Sequence, residues 1–183
     1  MLTVQSFVSG MELLKKCYIG WQFDIKDELQ VKLWYSAFKN TTDEQFNSII
    51  REYIAHNEYP PKCIKNLTDI LVDKALLQAK IPPEKALHYV RDIISDCGGW
   101  EYGGRTDIYR KLEKYPALSK TVREFEDTIK TMRSDDTFTA DRFRKAYEQN
   151  LREAATTRVD LLLGIKVPEN SQIFGQAALP YET

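Results

Sequence analysis

The chain has 183 residues, enough for one ordinary domain or two small ones, and its 43% hydrophobic content fills a core without metals or disulfides. Lys and Arg number 26 against 27 acidic residues, a formal net charge of -1 with a pI near 6.2. That balance excludes a protein held on DNA mainly by global positive charge, while leaving room for a local basic stripe. The 3 cysteines, Cys17, Cys63 and Cys97, are odd in number and far apart, and with only 2 histidines they suggest neither a zinc site nor a disulfide framework. The N-terminus lacks a basic stretch followed by an apolar run, and no segment approaches the roughly 18 apolar residues of a membrane span, so a soluble cytoplasmic protein is expected.

In chain order the apolar residues repeat at helical spacing, and an all-α fold follows. Val4, Phe7, Val8, Met11, Leu14 and Tyr18 share one face, interrupted by Gly10, and predict a first helix from about Thr3 to Trp21. Val31, Trp34 and Phe38, widened by Leu29, Leu33 and Ala37, predict a second helix buried on more than a narrow stripe. Thr42 followed by Gln45 is a helix-start signature, and Phe46, Ile49, Ile50, Tyr53 and Ile54 make the third helix amphipathic. That helix must stop near His56, because neither Pro60 nor Pro61 donates a helical hydrogen bond and each disfavours helix in the residue before it. Pro61 is expected in the first turn of the next helix, which continues through Ile64, Leu67, Leu71, Ala75 and Gln78.

Pro82 and Pro83 repeat the punctuation and open a fifth helix through Ala86, Leu87, Val90, Ile93 and Ile94. A short helix is expected over Asp107 to Glu113, another from Pro116 with Val122, Phe125, Ile129 and Met132 on one face, and a long one from Phe138 or Thr139 to Leu163. The last carries Phe143, Tyr147, Leu151 and Ala154 on one side and Gly164 as its C-terminal stop. These elements suggest an N-terminal helical domain over 1–97, a glycine-rich loop over 98–104, a smaller helical unit over 105–164 and an extended or disordered tail over 165–183.

Few residues suggest chemistry. The Gly98-Gly99 and Gly103-Gly104 pairs resemble a phosphate loop, but the Lys-Ser/Thr ending is missing and no strand precedes them, so the chain is not expected to be its own ATPase. Trp100 and Tyr102, between the glycines, are candidates for a contact or packing element. His56 and His88 read as solvated helix residues without catalytic partners, and the Asp135-Asp136 pair reads as a turn; no metal and no cofactor is expected. Trp34 and Tyr53 belong to the core by spacing, whereas Tyr35 lies beside the apolar stripe. Arg142, Arg144, Lys145 and Arg152 on the last helix form a candidate nucleic-acid contact, weakened by interleaved acidic residues.

The order of Trp34-Tyr35, the Tyr53-Ile54 helix end, Tyr59-Pro60-Pro61 and a further helix, over about Met11 to Asp73, resembles the phage proteins that load and inhibit a replicative hexameric helicase. The resemblance implies a compact helical N-terminal part, a flexible C-terminal part that grips the helicase, and no enzymatic activity. The expected partners are the helicase and an origin-bound replication protein, with DNA contact secondary, in the cytoplasm of an infected bacterium. Ile173, Phe174, Leu179 and Tyr181 in the tail are then the leading gripping residues, the competing reading being that the tail folds back on its own domain. This chain departs from the family by its additional helices before the tail. Two other functions stay open: a nucleic-acid-binding replication organiser using the basic residues of the last helices, and an inhibitor of a host replication factor.

Overall fold

The computed structural model describes residues 1–100, 104–133 and 136–165. Among these residues the protein is all-α, with eight helices and no strand. The helices are α1 (Val4–Cys17), α2 (Glu28–Phe38), α3 (Asp43–His56), α4 (Ile64–Leu77), α5 (Pro83–Asp96), α6 (Gly104–Leu112), α7 (Pro116–Thr131) and α8 (Thr137–Leu163). They form two compact units, one of Met1–Ala75 with residues 159–165 and one of Leu76–Arg158. The division thus falls within α4 and α8 rather than at the glycine-rich loop, and the Gly98-Gly99 turn is internal to the second unit.

In the first unit α1 packs against α3. Their close approach depends on Gly10, whose missing side chain leaves space for Phe46 and Ile50: a Cβ there would stand 2.7 Å from the Phe46 ring. The residue that interrupts the apolar face in sequence is therefore a buried contact point. Helix starts follow the polar signals. Thr3 accepts from the Ser6 amide and Asp27 from the Leu29 and Gln30 amides, while Thr42 and Gln45 form the full capping box expected of them. The Asp43 carboxylate, in the first turn of α3, accepts from the Thr3 amide at 2.6 Å and the Thr3 hydroxyl at 3.1 Å. The Leu2 amide donates to the Lys39 carbonyl and the Tyr35 hydroxyl to the Leu2 carbonyl at 2.8 Å, so the chain start is held to α2 and α3.

Three expectations are corrected here. The first helix stops at Cys17, short of Trp21, because Gly20 turns the chain at a φ of 87° and the Trp21 ring folds back to stack on Phe23. α2 buries only Trp34 and Phe38, while Leu29 and Leu33 stand in solvent at 79% and 60% exposure, so its buried stripe is narrow. Pro61 lies ahead of α4, whose first residue is Ile64, and is buried in the connection between α3 and α4.

The second unit has its own core. Ala86, Val90 and Ile93 of α5 meet Ile108 and Leu112 of α6, Leu118, Val122 and Ile129 of α7, and Phe143 and Tyr147 of α8. The spacing in sequence had put Ala86, Val90, Ile93, Val122, Ile129, Phe143 and Tyr147 on one face of their helices; Ile108, Leu112 and Leu118 were not singled out there. Two polar links cross this core. Tyr147 donates to the Ile81 carbonyl at 3.0 Å, and Asn150 donates to Thr121 at 2.9 Å and Glu124 at 3.1 Å. Burial pushes the Tyr147 phenol up to about 12.

Trp34 is 8% exposed and lies edge-on to both Trp21 and Phe23, with ring centroids 5.9 and 5.8 Å away. Trp34→Ala is expected to cost about 3 to 5 kcal/mol in chemical denaturation, since the indole leaves a cavity among rings that cannot close on it. An unchanged denaturation midpoint would remove Trp34 from the core. Gly10→Ala is expected to cost about 1 to 3 kcal/mol by overpacking, against the gain that alanine brings to an exposed helix position.

Candidate partner-binding surfaces

The connection over 57–61 determines what the first unit presents to solvent. Two prolines deny it amide donors, so its carbonyls need partners from elsewhere. Aromatic side chains supply them. Tyr18 donates to the Asn57 carbonyl at 2.7 Å, Tyr53 to the Tyr59 carbonyl at 3.1 Å, and the Trp21 indole to the Pro61 carbonyl at 3.1 Å. Burial raises the Tyr18 and Tyr53 phenols above their ordinary value, so both stay protonated donors. The turn after α1 is thereby bound to the double-proline connection. Each of these two segments then directs one large apolar side chain outward: Ile19 at 99% exposure and Tyr59 at 72%.

Sequence reasoning missed Ile19 and took Tyr59 only as part of a helix stop. A signal for Ile19 was available: it follows the last residue of the α1 apolar period and precedes Gly20, a setting for a turn tip. Leu29 and Leu33, one turn apart on α2, add a second exposed apolar pair.

The residues favoured from sequence have mixed placements. Ile173, Phe174, Leu179 and Tyr181 lie outside the described residues, as does Tyr102. Trp100 is half-buried against the second core, 6.3 Å from the Tyr109 ring, with the Lys130 ammonium 5.4 Å from its own ring centroid. The basic residues of α8 are largely engaged with their neighbours. Arg144 reaches Asp141 at 2.7 Å and Glu148 at 2.6 Å, Lys145 reaches Asp141 at 2.8 Å, and Arg142 lies over the Phe125 and Phe138 rings. Arg152 is exposed and also has an interaction partner. Two of the four charges are thus offset within their own helix, which weakens the α8 surface as a nucleic-acid contact.

A tighter electrostatic cluster joins α6 to α7, and sequence reasoning did not find it. The Glu126 carboxylate receives Lys130 at 2.7 Å, the Tyr109 hydroxyl at 2.7 Å and one edge of the Arg105 guanidinium, through Nε at 3.0 Å and Nη2 at 3.1 Å. These donors, Lys130 first, hold its carboxyl down at about 2. Burial and the Glu126 bond push the Tyr109 phenol up to about 12. Only the Glu126–Lys130 part was available in sequence, as an i,i+4 pair.

Elsewhere, His56 and His88 are exposed; His56 Nδ1 lies 3.0 Å from the Glu52 carbonyl, and His88 lies 3.6 Å from Asp92. Among the described residues, no group of three or more His, Cys, Asp or Glu side chains is placed to hold a metal ion. No helix among them is long and apolar enough to cross a membrane. Comparison with protein-family models, curated proteins and solved structures gives no match.

The Glu126–Tyr109 pair makes a signed pH prediction. A carboxyl depressed from 4.5 to about 2 contributes stability that is complete above 4.5 and lost as pH falls through about 2. A phenol raised from 10.0 to about 12 contributes stability that is complete below 10.0 and lost as pH rises through about 12. Thermal melts across pH are expected to show an acid limb that Glu126→Gln flattens. An acid limb of undiminished slope in that variant would assign it to other carboxylates.

Proposed function

We propose that this protein is a non-enzymatic adaptor that binds a replicative hexameric DNA helicase, restrains it and delivers it to an origin-bound partner. The reading rests on the resemblance over Met11 to Asp73, and one observation carries it furthest. Within that stretch, the double-proline connection and the turn bound to it hold Ile19 and Tyr59 in solvent. Large apolar side chains on a rigid support are the residue types that dominate protein interfaces, because their burial on binding costs little further ordering. Leu29 and Leu33 extend the apolar area available to a partner. The near-neutral charge of the chain fits contact with a protein better than a grip on phosphate backbone. The tail, with Ile173, Phe174, Leu179 and Tyr181, is proposed as a second grip, since a few large side chains among polar residues and prolines suit a short segment that orders on binding.

The test is a binding titration with purified hexameric helicase, after its identification by mass spectrometry in a pull-down from host lysate. The adaptor is expected to bind through moderate salt and to lower the helicase ATPase and unwinding rates. Ile19→Ser with Tyr59→Ser is expected to weaken binding at least tenfold, about 1.4 kcal/mol, with the helical circular dichroism unchanged. Removing residues 167–183 is expected to do the same. Full affinity in the double variant moves the interface off this edge, and full affinity in the truncation moves it off the tail. No binding to any replicative helicase ends the reading.

A further inference from the structure

The surface between α6 and α7 in the second unit holds a cleft of about 630 Å³, bordered by Arg105, Arg110 and Arg123 together with Thr106, Tyr109 and two carboxylates, Glu113 and Glu126. Three arginines from two helices converge there although the chain as a whole is slightly acidic. They differ in what already occupies them. Arg110 has an exposed partner, Asp107, at 3.0 Å. Arg105 holds Glu126, but that carboxylate is also held by Lys130 and Tyr109, and its side chain is 11% exposed. It therefore acts as a buried post that positions Arg105 and the Tyr109 ring.

Arg123 is the exception. Among the described residues it has no carboxylate partner, and its guanidinium lies over the Tyr109 ring, 5.0 Å from the centroid. Contact with a ring uses none of its N–H donors in an ion pair, and Arg123 is exposed, so those donors remain available to grip a tetrahedral oxyanion in bidentate fashion. Arg105 lies 6.0 Å from the same ring centroid, so Tyr109 organises two guanidiniums at once. The first turn of α6 contributes Arg105 and Thr106, whose hydroxyl is a further donor. Two carboxylates oppose an anion: Glu126, offset by Arg105 and Lys130, and Glu113, exposed and without an ion-pair partner among the described residues.

We propose that the α6–α7 cleft is a phosphate-binding site in which Arg123 and Arg105, set by Tyr109, hold the phosphate groups of a nucleic-acid strand or of a free nucleotide. Its residues are distinct from the basic residues of α8 and from those proposed above to bind a helicase. Arginine forks suit the non-bridging oxygens of phosphate, and their planar guanidinium faces add a surface on which a base stacks, which a carboxylate peptide does not use.

The experiment uses the full chain with three probes: a fluorescein-labelled oligothymidylate, pyrophosphate and ATP, each titrated at low and physiological salt. Binding of the oligonucleotide with competition by pyrophosphate identifies a strand-binding site, and binding of pyrophosphate or ATP alone identifies a free-phosphate site; either supports the proposal. Arg123→Gln is expected to weaken the bound probe about tenfold. Glu113→Gln is expected to tighten it about threefold by removing a repulsion. Arg142→Gln on α8 is expected to leave it unchanged. Circular dichroism melts of each variant establish that the fold persists. No binding of any probe, binding of polyglutamate in their place, or affinity that ignores both Arg123→Gln and Glu113→Gln would overturn the proposal. Because the helicase titration uses neither these probes nor these variants, failure of one reading leaves the other standing.

Discussion

The arrangement of the first unit depends on the partners found for carbonyls in a connection that has lost its donors. Pro60 and Pro61 follow the end of α3 and remove two amide donors from the connection. Tyr18, Trp21 and Tyr53 fill that need from α1, its following turn and α3. Their rings also build the core: Tyr18 lies edge-on to Tyr53, and Trp21 stacks on Phe23 beside Trp34. Packing and hydrogen bonding are thus performed by the same side chains. That coupling ties the α1 turn to the double-proline segment and fixes the directions of Ile19 and Tyr59.

The second unit solves a different problem, that of distributing many charges over helices with one apolar face each. On α8, carboxylates three or four residues away offset Arg144 and Lys145 within the same helix, as Asp141 and Glu148 do for Arg144. Between α6 and α7 the outcome is reversed. A single poorly exposed carboxylate, Glu126, serves Arg105, Lys130 and Tyr109 together, and Arg123 is left with an aromatic face as its contact. Two surfaces of similar composition therefore differ in available charge. A count of lysines and arginines would have ranked α8 first, and the geometry ranks the α6–α7 cleft above it.

Much of the fold was legible because helical periodicity and capping are local. The capping box at Thr42 and Gln45, the stop at His56, the Pro83 and Pro116 starts and the end of α8 before Gly164 all follow from residues within a turn or two of each other. The errors arose where a non-local partner decided. Leu29 and Leu33 have the spacing of a buried stripe but no element among the described residues of their unit covers them, and Gly10 looked like an interruption because Phe46, 36 positions on in sequence, was not yet known to lie against it. Pro61 was placed at a helix start, but the Trp21 indole holds it in the connection between α3 and α4 instead.

By itself the sequence determined the all-α class, the number and approximate limits of the helices, and the core faces of α3, α5, α7 and α8, because each is set by residues three or four apart on one chain segment. The tertiary structure alone decided which charges are offset between helices, which apolar residues stay in solvent and where the chain divides into units. Those properties depend on distances between residues tens of positions apart, such as Tyr18 to Asn57 or Arg105 to Glu126, and no local period encodes them.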